Sequence, residues 1–244
     1  MRKIKFLFFT YQLYKYIIFY PILGGATAFF GSVSVLLSIF INQKIGSIMG
    51  VLWARVCSYA TPMFVKTVNL YKIDPKQSYV IVSNHQSLYD ILVVYGWLPV
   101  DFKWVMKIEL RAIPFLGYAC DRMGHIYIDR SNSQAALASI NKAKDRIKNG
   151  TSVFFFPEGQ RSTTGELLEF KKGAFKFALD LKLPILPVSI VDTKKILPNL
   201  TSALFPGKVK MIIHDPIKTD NYNDGNITEL IKKAKEEIKK GLTP

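Results

Sequence analysis

The pattern of apolar and polar positions changes about a quarter of the way along the chain. From residue 68 onward, short apolar runs alternate with segments of helical periodicity. Runs of β-branched and aromatic residues bounded by turn residues indicate strands. We predict strands at 68–73, 79–84, 102–107, 125–129, 152–157, 184–191 and 208–217. Several of them are continuously apolar, which indicates strands buried on both faces and an α/β layer architecture.

Two segments of this region have a clear helical pattern. In 133–148, Ser133 is the predicted N-cap, apolar residues share one face and Gly150 ends the helix. In 227–240, an apolar stripe lies opposite a row of lysines. We expect this last helix to dock on the domain, with a second membrane contact as the alternative.

The first part of the chain has a different pattern, because no charged residue occurs from Tyr16 to Gln43. A helix needs about 20 apolar residues to span a bilayer, so this run is long enough. Pro21 and the pair Gly24-Gly25 favour a break in it, and cations occur on both sides of it. We favour an interfacial or re-entrant helical hairpin over a single span or a buried helix. The predicted organisation is a membrane-anchoring segment, 1–66, followed by an α/β domain, 67–244.

Composition narrows the choice of partners. The chain of 244 residues is 49% hydrophobic and has a formal net charge of +15. An apolar and basic chain suits nucleic acid or an anionic membrane surface. No clustered basic and aromatic stripe accompanies the charge, so a nucleic-acid partner is not expected. Cys57 and Cys120 are expected to be unpaired core residues, and histidines scattered singly make a dedicated metal site unexpected.

The stretch "SNHQSLYDIL" at 83–92 is the first candidate site. It follows an apolar strand, and ligands gather at the carboxyl ends of strands in open α/β sheets. Ser87 and Asp90 have the spacing of a capping box, which starts a helix and turns Asp90 toward His85. On its own, the pair is either a catalytic dyad or a turn histidine beside an acidic helix start.

The stretch "FFFPEGQRS" at 154–162 repeats this arrangement of an apolar strand followed by a tight turn. Charged Glu158 and Arg161 lie on either side of Gly159, which permits a positive φ or a close backbone approach. A surface loop commonly contains such residues, so this motif is also weak when taken alone.

Together, the two motifs resemble those of the glycerolipid acyltransferase family. Asn84, His85 and Asp90 match its Asn-His-x-x-x-x-Asp motif, and 156–162 matches its Phe-Pro-Glu-Gly-Thr-Arg-Ser motif except at Gln160. "GHIYIDR" at 124–130 and "LPVSI" at 186–190 are similar to two further elements in the same order. The resemblance covers residues 70 to 215 and is closest to the 1-acylglycerol-3-phosphate acyltransferases. It implies a mixed central sheet flanked by helices, with the N-terminal hairpin as anchor.

The resemblance also implies a reaction, in which an acyl group passes from a thioester to the sn-2 hydroxyl of 1-acyl-glycerol-3-phosphate. His85 would be the general base and Asp90 the carboxylate that orients it, without an acyl-enzyme. Substrate binding is assigned to the following residues: Lys107, Arg130, Glu158, Gly159 and Arg161. Glu158 would bind a glycerol hydroxyl or orient Arg161, and the cations would bind phosphate.

The implied partners are a phospholipid membrane, lysophosphatidic acid, and acyl-CoA or acyl carrier protein as co-substrate, with no cofactor. The domain is expected to face the cytosol from the inner membrane. Glycerol-3-phosphate or another lysolipid stays open as the acceptor. A membrane-attached nucleic-acid-binding protein and a membrane-bound hydrolase are rivals from other classes. The hydrolase would need an enzyme nucleophile or metal ligands, and the sequence arranges neither.

Overall fold

The computed structural model describes residues 9–129, 131–147, 149–163 and 165–243. Within these residues the strands are β1 Met63–Val68, β2 Val80–Ser83, β3 Phe102–Lys107, β4 Ile126–Ile128, β5 Ser152–Phe155, β6 Ile185–Val191 and β7 Gly207–Ile213. The α-helices are α1 Tyr20–Phe40, α2 Gln43–Ala60, α3 Tyr89–Trp97, α4 Leu116–Arg122, α5 Ser133–Ala143, α6 Gly173–Leu181, α7 Thr193–Ile196 and α8 Ile227–Leu242.

The strands form one mixed sheet in the order β1-β7-β6-β2-β5-β3-β4. The five strands β6, β2, β5, β3 and β4 are mutually parallel, β7 is antiparallel to β6, and β1 is parallel to β7. The carboxyl ends of the five parallel strands therefore meet at one edge of the sheet. We call this edge the carboxyl edge and the opposite one the amino edge.

The two faces of the sheet are buried by different helices. Residues of α2 and α3 belong to the core on one face, and residues of α5, α6 and α8 belong to the core on the other. All four residues of β2 and of β5 are buried, as expected for central strands covered on both faces. The predicted α/β class with a mixed, helix-flanked sheet is confirmed.

Six of the predicted strands are confirmed, and the one at 68–73 is wrong. The chain forms β1 at Met63–Val68 and then a 3₁₀ turn at Leu70–Lys72. β1 is an edge strand with alternating burial, and its position depends on pairing with β7, which lies far away in the sequence. The predicted boundary between the membrane-anchoring segment, 1–66, and the α/β domain, 67–244, falls inside β1. This division of the chain stays a prediction.

Both predicted helices form, with one correction to a cap. The N-cap of α5 is Asn132, whose side chain accepts from the Ala135 N–H at 3.0 Å, so Ser133 is the first helical residue. α8 docks on the sheet with four buried apolar residues, Ile227, Leu230, Ala234 and Ile238. Cys57 and Cys120 are buried and unpaired, as predicted.

The N-terminal segment is a helical hairpin that packs on the domain. α1 packs against α2 and α4, and α2 packs against α3. Trp53 Nε1 donates to Thr27 Oγ1 at 3.0 Å between the two helices. Helical residues also precede α1, including a π-helical turn at Lys15–Phe19, so one helix runs from residue 9 to residue 40. Among the described residues this helix alone is long and apolar enough to cross a membrane, and little of it is buried. It is therefore a candidate membrane anchor.

Candidate active site

The first motif lies where predicted, directly after the carboxyl end of β2. Asn84 fixes the exit of the chain from this strand. Its Nδ2 donates to Ile190 O at 2.8 Å and its Oδ1 accepts from Ile190 N at 2.8 Å, so the amide binds both backbone groups of one residue in β6. Asn84 is buried, and its side chain thus continues the pairing of β2 with β6 beyond the strand.

His85 and Asp90 form the dyad that the spacing predicted. Nδ1 of His85 lies 2.8 Å from Oδ2 of Asp90. A carboxylate only accepts hydrogen bonds, so Nδ1 carries the proton and the neutral imidazole has its lone pair on Nε2. The Asp90 side chain is fully buried, whereas that of His85 is 14% exposed. The ring is thus held at one nitrogen and available at the other.

The start of α3 differs slightly from the prediction. The N-cap is Leu88 rather than Ser87, and α3 begins at Tyr89. The Ser87 N–H still donates to Asp90 Oδ2 at 2.9 Å, and Ser87 Oγ accepts from the Tyr89 N–H at 3.2 Å. One of the two hydrogen bonds of a capping box, from the Ser87 N–H to the Asp90 side chain, is therefore present, and it turns Asp90 toward His85.

Asp90 has a further partner that the sequence did not indicate. Thr193, buried at the start of α7, donates its hydroxyl to Asp90 Oδ1. Oδ2 accepts from His85 Nδ1 and from the backbone of Gln86 and Ser87. Donors surround both carboxylate oxygens, so the carboxylate is held in one orientation. Thr193 is 103 residues away in the chain, and no local pattern could have connected the two.

The second motif follows β5, the neighbour of β2, and reaches the same edge. Gly159 has φ +73°, so the predicted need for a positive φ is confirmed. Lys171 lies over this turn, with its Cε and Nζ 2.9 Å from where a Cβ on Gly159 would be. A side chain at residue 159 would be strained and would displace Lys171.

Glu158 is buried, and its carboxylate is engaged by backbone rather than by Arg161. Oε1 accepts from the His85 N–H at 2.7 Å, and Oε2 accepts from the Leu168 N–H at 2.9 Å. Burial raises the pKa of Glu158, and these two hydrogen bonds act in the opposite direction. The Glu158 carboxylate therefore connects His85 to the loop after β5, a contact that no local sequence pattern indicates.

The backbone N–H and carbonyl of His85 are both hydrogen-bonded to residues of the second motif. Its N–H donates to Glu158, and its carbonyl accepts from the Ser162 N–H at 2.9 Å. The imidazole also stacks on Phe156, with ring centroids 3.8 Å apart and an interplanar angle of 11°. Backbone and ring are both fixed, so His85 is preorganised by residues of the second motif.

The three cationic side chains predicted to bind phosphate differ in what the structure shows of them. Arg161 lies on the loop of the second motif, and its carbonyl accepts from Asn199 Nδ2 at 3.4 Å. No carboxylate among the described residues lies within ion-pair distance of its guanidinium. Lys107 ends β3 at the same edge, half exposed and 3.4 Å from Glu109. Arg130 lies outside the described residues, so its predicted role stays a prediction.

This arrangement suits proton transfer beside an anion. His85 has an available Nε2 and an orienting carboxylate, which suit activation of a hydroxyl group, and Arg161 lies on the loop whose backbone is bonded to His85. Among the described residues, no side-chain hydroxyl or thiol forms a hydrogen bond with Nε2. In the same residues no group of His, Cys, Asp and Glu is arranged to hold a metal ion.

Comparison with known proteins agrees with this geometry. The family model described as Acyltransferase matches residues 64–191, which contain both motifs. A chloroplastic 1-acyl-sn-glycerol-3-phosphate acyltransferase of Brassica napus is 35% identical over 182 residues, 72% of this chain and 51% of that protein. One from Saccharomyces cerevisiae is 34% identical over 166 residues, 67% of this chain and 55% of that protein.

A solved structure covers more of the chain. The crystal structure of the 1-acyl-sn-glycerophosphate acyltransferase PlsC from Thermotoga maritima matches with a TM-score of 0.79 and 28% identity, over 99% of this chain and 96% of that one. The chain belongs to the acyltransferase family, and the resemblance that the motifs indicated is confirmed. The chain spans about half the length of these two curated relatives, with 51% of the Brassica napus protein and 55% of the Saccharomyces cerevisiae protein matched.

Proposed function

We propose that this protein transfers a fatty acyl group from an acyl thioester to the sn-2 hydroxyl of 1-acyl-glycerol-3-phosphate, giving phosphatidic acid. The observation that carries the proposal is the His85–Asp90 hydrogen bond of 2.8 Å, on a loop locked to the second motif. The names of the curated relatives support the acceptor, since they are 1-acyl-sn-glycerol-3-phosphate acyltransferases. The acyl donor is acyl-CoA or the acylated form of acyl carrier protein, and no cofactor takes part.

In the proposed reaction His85 acts first as a general base and then as a general acid. Nε2 removes it from the acceptor hydroxyl as the oxygen attacks the thioester carbonyl, and Asp90 stabilises the imidazolium that results. The imidazolium then protonates the departing thiolate, which restores the neutral base. The hydroxyl of the substrate replaces an enzyme nucleophile, so no acyl-enzyme forms. General base catalysis of this kind contributes about 10²–10⁴-fold.

Recognition of the acceptor phosphate is assigned to cations at the carboxyl edge. Arg161 is the principal candidate, because guanidinium binds phosphate in a bidentate manner and this one has no ion-pair partner among the described residues. Lys107 and Arg130 are proposed to assist. Gly159 lets the backbone turn beside the phosphate, and Glu158 acts mainly by positioning His85.

We further propose that α1 lies along the surface of the cytosolic leaflet of the inner membrane rather than crossing it. Its 21 residues would be about 31 Å long, enough to span by length. Its packing on α2 and α4, however, keeps it beside the domain. Just before it, Gln12 Nε2 donates to Leu204 O at 2.9 Å and Lys15 Nζ donates to Ser202 O at 2.6 Å. These contacts hold the helix start against the domain, as an interfacial anchor requires.

The proposal is tested with purified protein and a radiolabelled acyl thioester. Lysophosphatidate, glycerol-3-phosphate and a phosphate-free lysolipid are offered side by side, and labelled products are separated by chromatography. We expect labelled phosphatidic acid to dominate. Preferential acylation of glycerol-3-phosphate or of the phosphate-free lysolipid would replace the proposed acceptor, and no acyl transfer to any of the three would refute the function.

The role of Arg161 is tested in the same assay. Replacing Arg161 by Ala is expected to raise the KM for lysophosphatidate by about 10–100-fold, since hydrogen bonds to a charged group contribute about 1.5–3 kcal/mol. The matched control is Arg146→Ala, an exposed arginine in the 3₁₀ turn Lys144–Arg146, before β5 at the amino edge. Equal KM values for the two variants would remove Arg161 from the phosphate site.

A further inference from the structure

Phe115 lies in a strained turn, and its side chain is exposed to solvent. It has φ +61° and ψ −49°, and the Leu116 N–H donates to Pro114 O at 2.6 Å across it. This is a γ-turn with positive φ at its centre, a rare and strained conformation, and for a bulky residue a costly one. The Phe115 backbone packs on Gly31 of α1 and its carbonyl accepts from the Ala119 N–H at 3.1 Å, but its side chain is 55% exposed.

Leu200 lies in a second turn and is exposed in the same way. The Thr201 N–H donates to Pro198 O at 3.3 Å, which closes a four-residue turn with Leu200 in its third position. The φ of Leu200 is +61°, a value for which that position normally has Gly or Asn. The side chain is 86% exposed. Among the described residues, Phe115 and Leu200 are the large apolar side chains with positive φ.

The two turns lie on either side of the candidate active site. Phe115 follows β3 and Leu200 follows β6, both at the carboxyl edge. In the sheet β6 and β3 flank β2 and β5, the strands that lead into the two motifs. The Leu200 turn also contacts the site itself, since Asn199 Nδ2 donates to the Arg161 carbonyl. Two exposed apolar side chains in strained turns, Phe115 and Leu200, therefore lie on either side of the candidate active site.

The surroundings of these two side chains indicate what covers them. The Phe115 carbonyl packs on α1 at Gly31, where an added Cβ would lie 3.3 Å from the oxygen, so the Phe115 turn is continuous with the candidate membrane anchor. Exposed Ile113 and Tyr118 extend the same apolar surface. Arg122 donates to the Tyr118 hydroxyl beside the Phe115 turn. Exposed Lys195, which pairs with Asp192 at 2.9 Å, precedes Leu200 by five residues in the chain. Apolar side chains beside cations suit an anionic phospholipid surface.

We propose that Phe115 and Leu200 insert into the lipid surface as two docking points that hold the carboxyl edge, and with it the active site, against the bilayer. This inference rests on the proposed function for its membrane-borne acceptor, and it adds a contact separate from the N-terminal hairpin. The two points lie on opposite sides of the site and direct its entrance toward the acceptor.

Insertion is measured with an environment-sensitive fluorophore attached to a cysteine at residue 115 or 200. The matched control is residue 71, because Tyr71 is 83% exposed and follows β1 at the amino edge. Burial raises the pKa of Cys57 and of Cys120 to about 12, so the native thiols do not compete for the label. The vesicles contain phosphatidylglycerol and phosphatidylethanolamine, with and without lipids that have a quencher in the acyl chain.

We expect bound protein to show increased, quenchable emission from labels at 115 and 200, and unchanged emission from the label at 71. If the labels at 115 and 200 behave like the one at 71, the proposal is wrong. Insertion of only residue 115 or only residue 200 would contradict the proposal that both side chains enter the lipid. Failure of the protein to bind these vesicles at all would also overturn it.

Glycine variants separate lipid binding from folding. Phe115→Gly and Leu200→Gly remove the side chain and relieve the positive-φ strain, so the Tm should be unchanged or higher. Vesicle affinity should fall about tenfold for each, as expected for losing the insertion of one large apolar side chain. A lowered Tm with unchanged vesicle affinity would assign the turns to folding and refute the docking role.

Acyl transfer to a short-chain acceptor dispersed in detergent keeps this test apart from the proposed function. Both glycine variants should match the native protein there and lose activity only on acceptor embedded in vesicles. Equal losses in detergent and on vesicles would contradict the docking role. Absence of transfer by the native protein in detergent would instead refute the proposed function, whatever the labels show.

Discussion

Two histidines at opposite edges of the sheet have opposite environments. His85 follows β2 at the carboxyl edge, with Nδ1 on a buried carboxylate and its ring stacked on Phe156. His125 precedes β4 at the amino edge and is 4% exposed. Its Nδ1 accepts from the Trp104 N–H at 3.3 Å, so its Nε2–H donates to the Tyr95 hydroxyl at 3.1 Å.

The difference explains why one imidazole can work as a base and the other cannot. Both nitrogens of His125 are occupied, and burial together with the nearby Lys103 lowers its pKa to about 3. His85 has a carboxylate to stabilise its charged form, and its second nitrogen forms no hydrogen bond with the described residues. The catalytic potential of a histidine therefore depends on its hydrogen-bond partners together with its burial, since both rings have aromatic neighbours.

The largest expected contrast is in turnover. His85→Ala should lower kcat by about 10²–10⁴-fold with the fold intact, because the base is lost. The matched variant, His125→Gln, should keep kcat within a few-fold and lose stability instead. Steady-state acyl transfer and thermal unfolding of both proteins give the answer. Near-native turnover in His85→Ala would end the assignment of this residue as the base.

The second contrast is the pH dependence of stability. The pKa of His125 is lowered from 6.5 to about 3 in the folded state, so the unfolded chain binds the extra proton between these values. Stability from this residue is therefore present above about pH 6.5 and lost as the pH falls toward 3. The free energy of unfolding should decrease by about 1.4 kcal/mol per pH unit in this range.

Urea unfolding between pH 7 and pH 5 measures this slope, with His125→Gln as the variant that should flatten it. Glu158, whose pKa is raised by burial, contributes in the opposite direction, because its folded form retains a proton more strongly than the unfolded chain. An equally steep decrease in the His125→Gln protein would assign the slope to other groups.

The smallest expected effect concerns the hydrogen bond from Thr193 to Asp90. Thr193→Val removes the hydroxyl that binds Oδ1 and should lower kcat by about 2–10-fold, since one hydrogen bond contributes about 0.5–1.5 kcal/mol. The KM values should not change. Thr193→Ser keeps the hydroxyl and should restore kcat, which a merely steric role would not require. A loss in both variants alike would contradict the positioning role.

The parts of the site that are local in sequence were predictable, and the parts that depend on long-range packing were not. The dyad was predicted because a strand end followed by a capping-box spacing brings His85 and Asp90 together. Gly159 was predictable because tight turns need a positive φ. Thr193 and the Glu158–His85 hydrogen bond join segments 103 and 73 residues apart, so only the folded sheet brings them together.

The same distinction applies to the fold. Buried central strands such as β2 and β5 were recognised by their continuous apolar runs. β1 was placed several residues too late, because the pattern of an edge strand is weaker and its register is set by β7. The apolar N-terminal run was recognised, but its packing on α2 and α4 is tertiary, and only the structure reveals it.

The central claim is that His85 and Asp90 act as one unit, and a double-mutant cycle tests it most directly. Purified His85→Gln, Asp90→Asn and doubly substituted proteins are compared with the native protein by kcat for acyl transfer to lysophosphatidate, after thermal unfolding confirms that each is folded. If the pair acts as one unit, the double variant should be about as impaired as His85→Gln alone. Losses that multiply, so that the double variant falls below His85→Gln by the full factor of Asp90→Asn, would contradict the account.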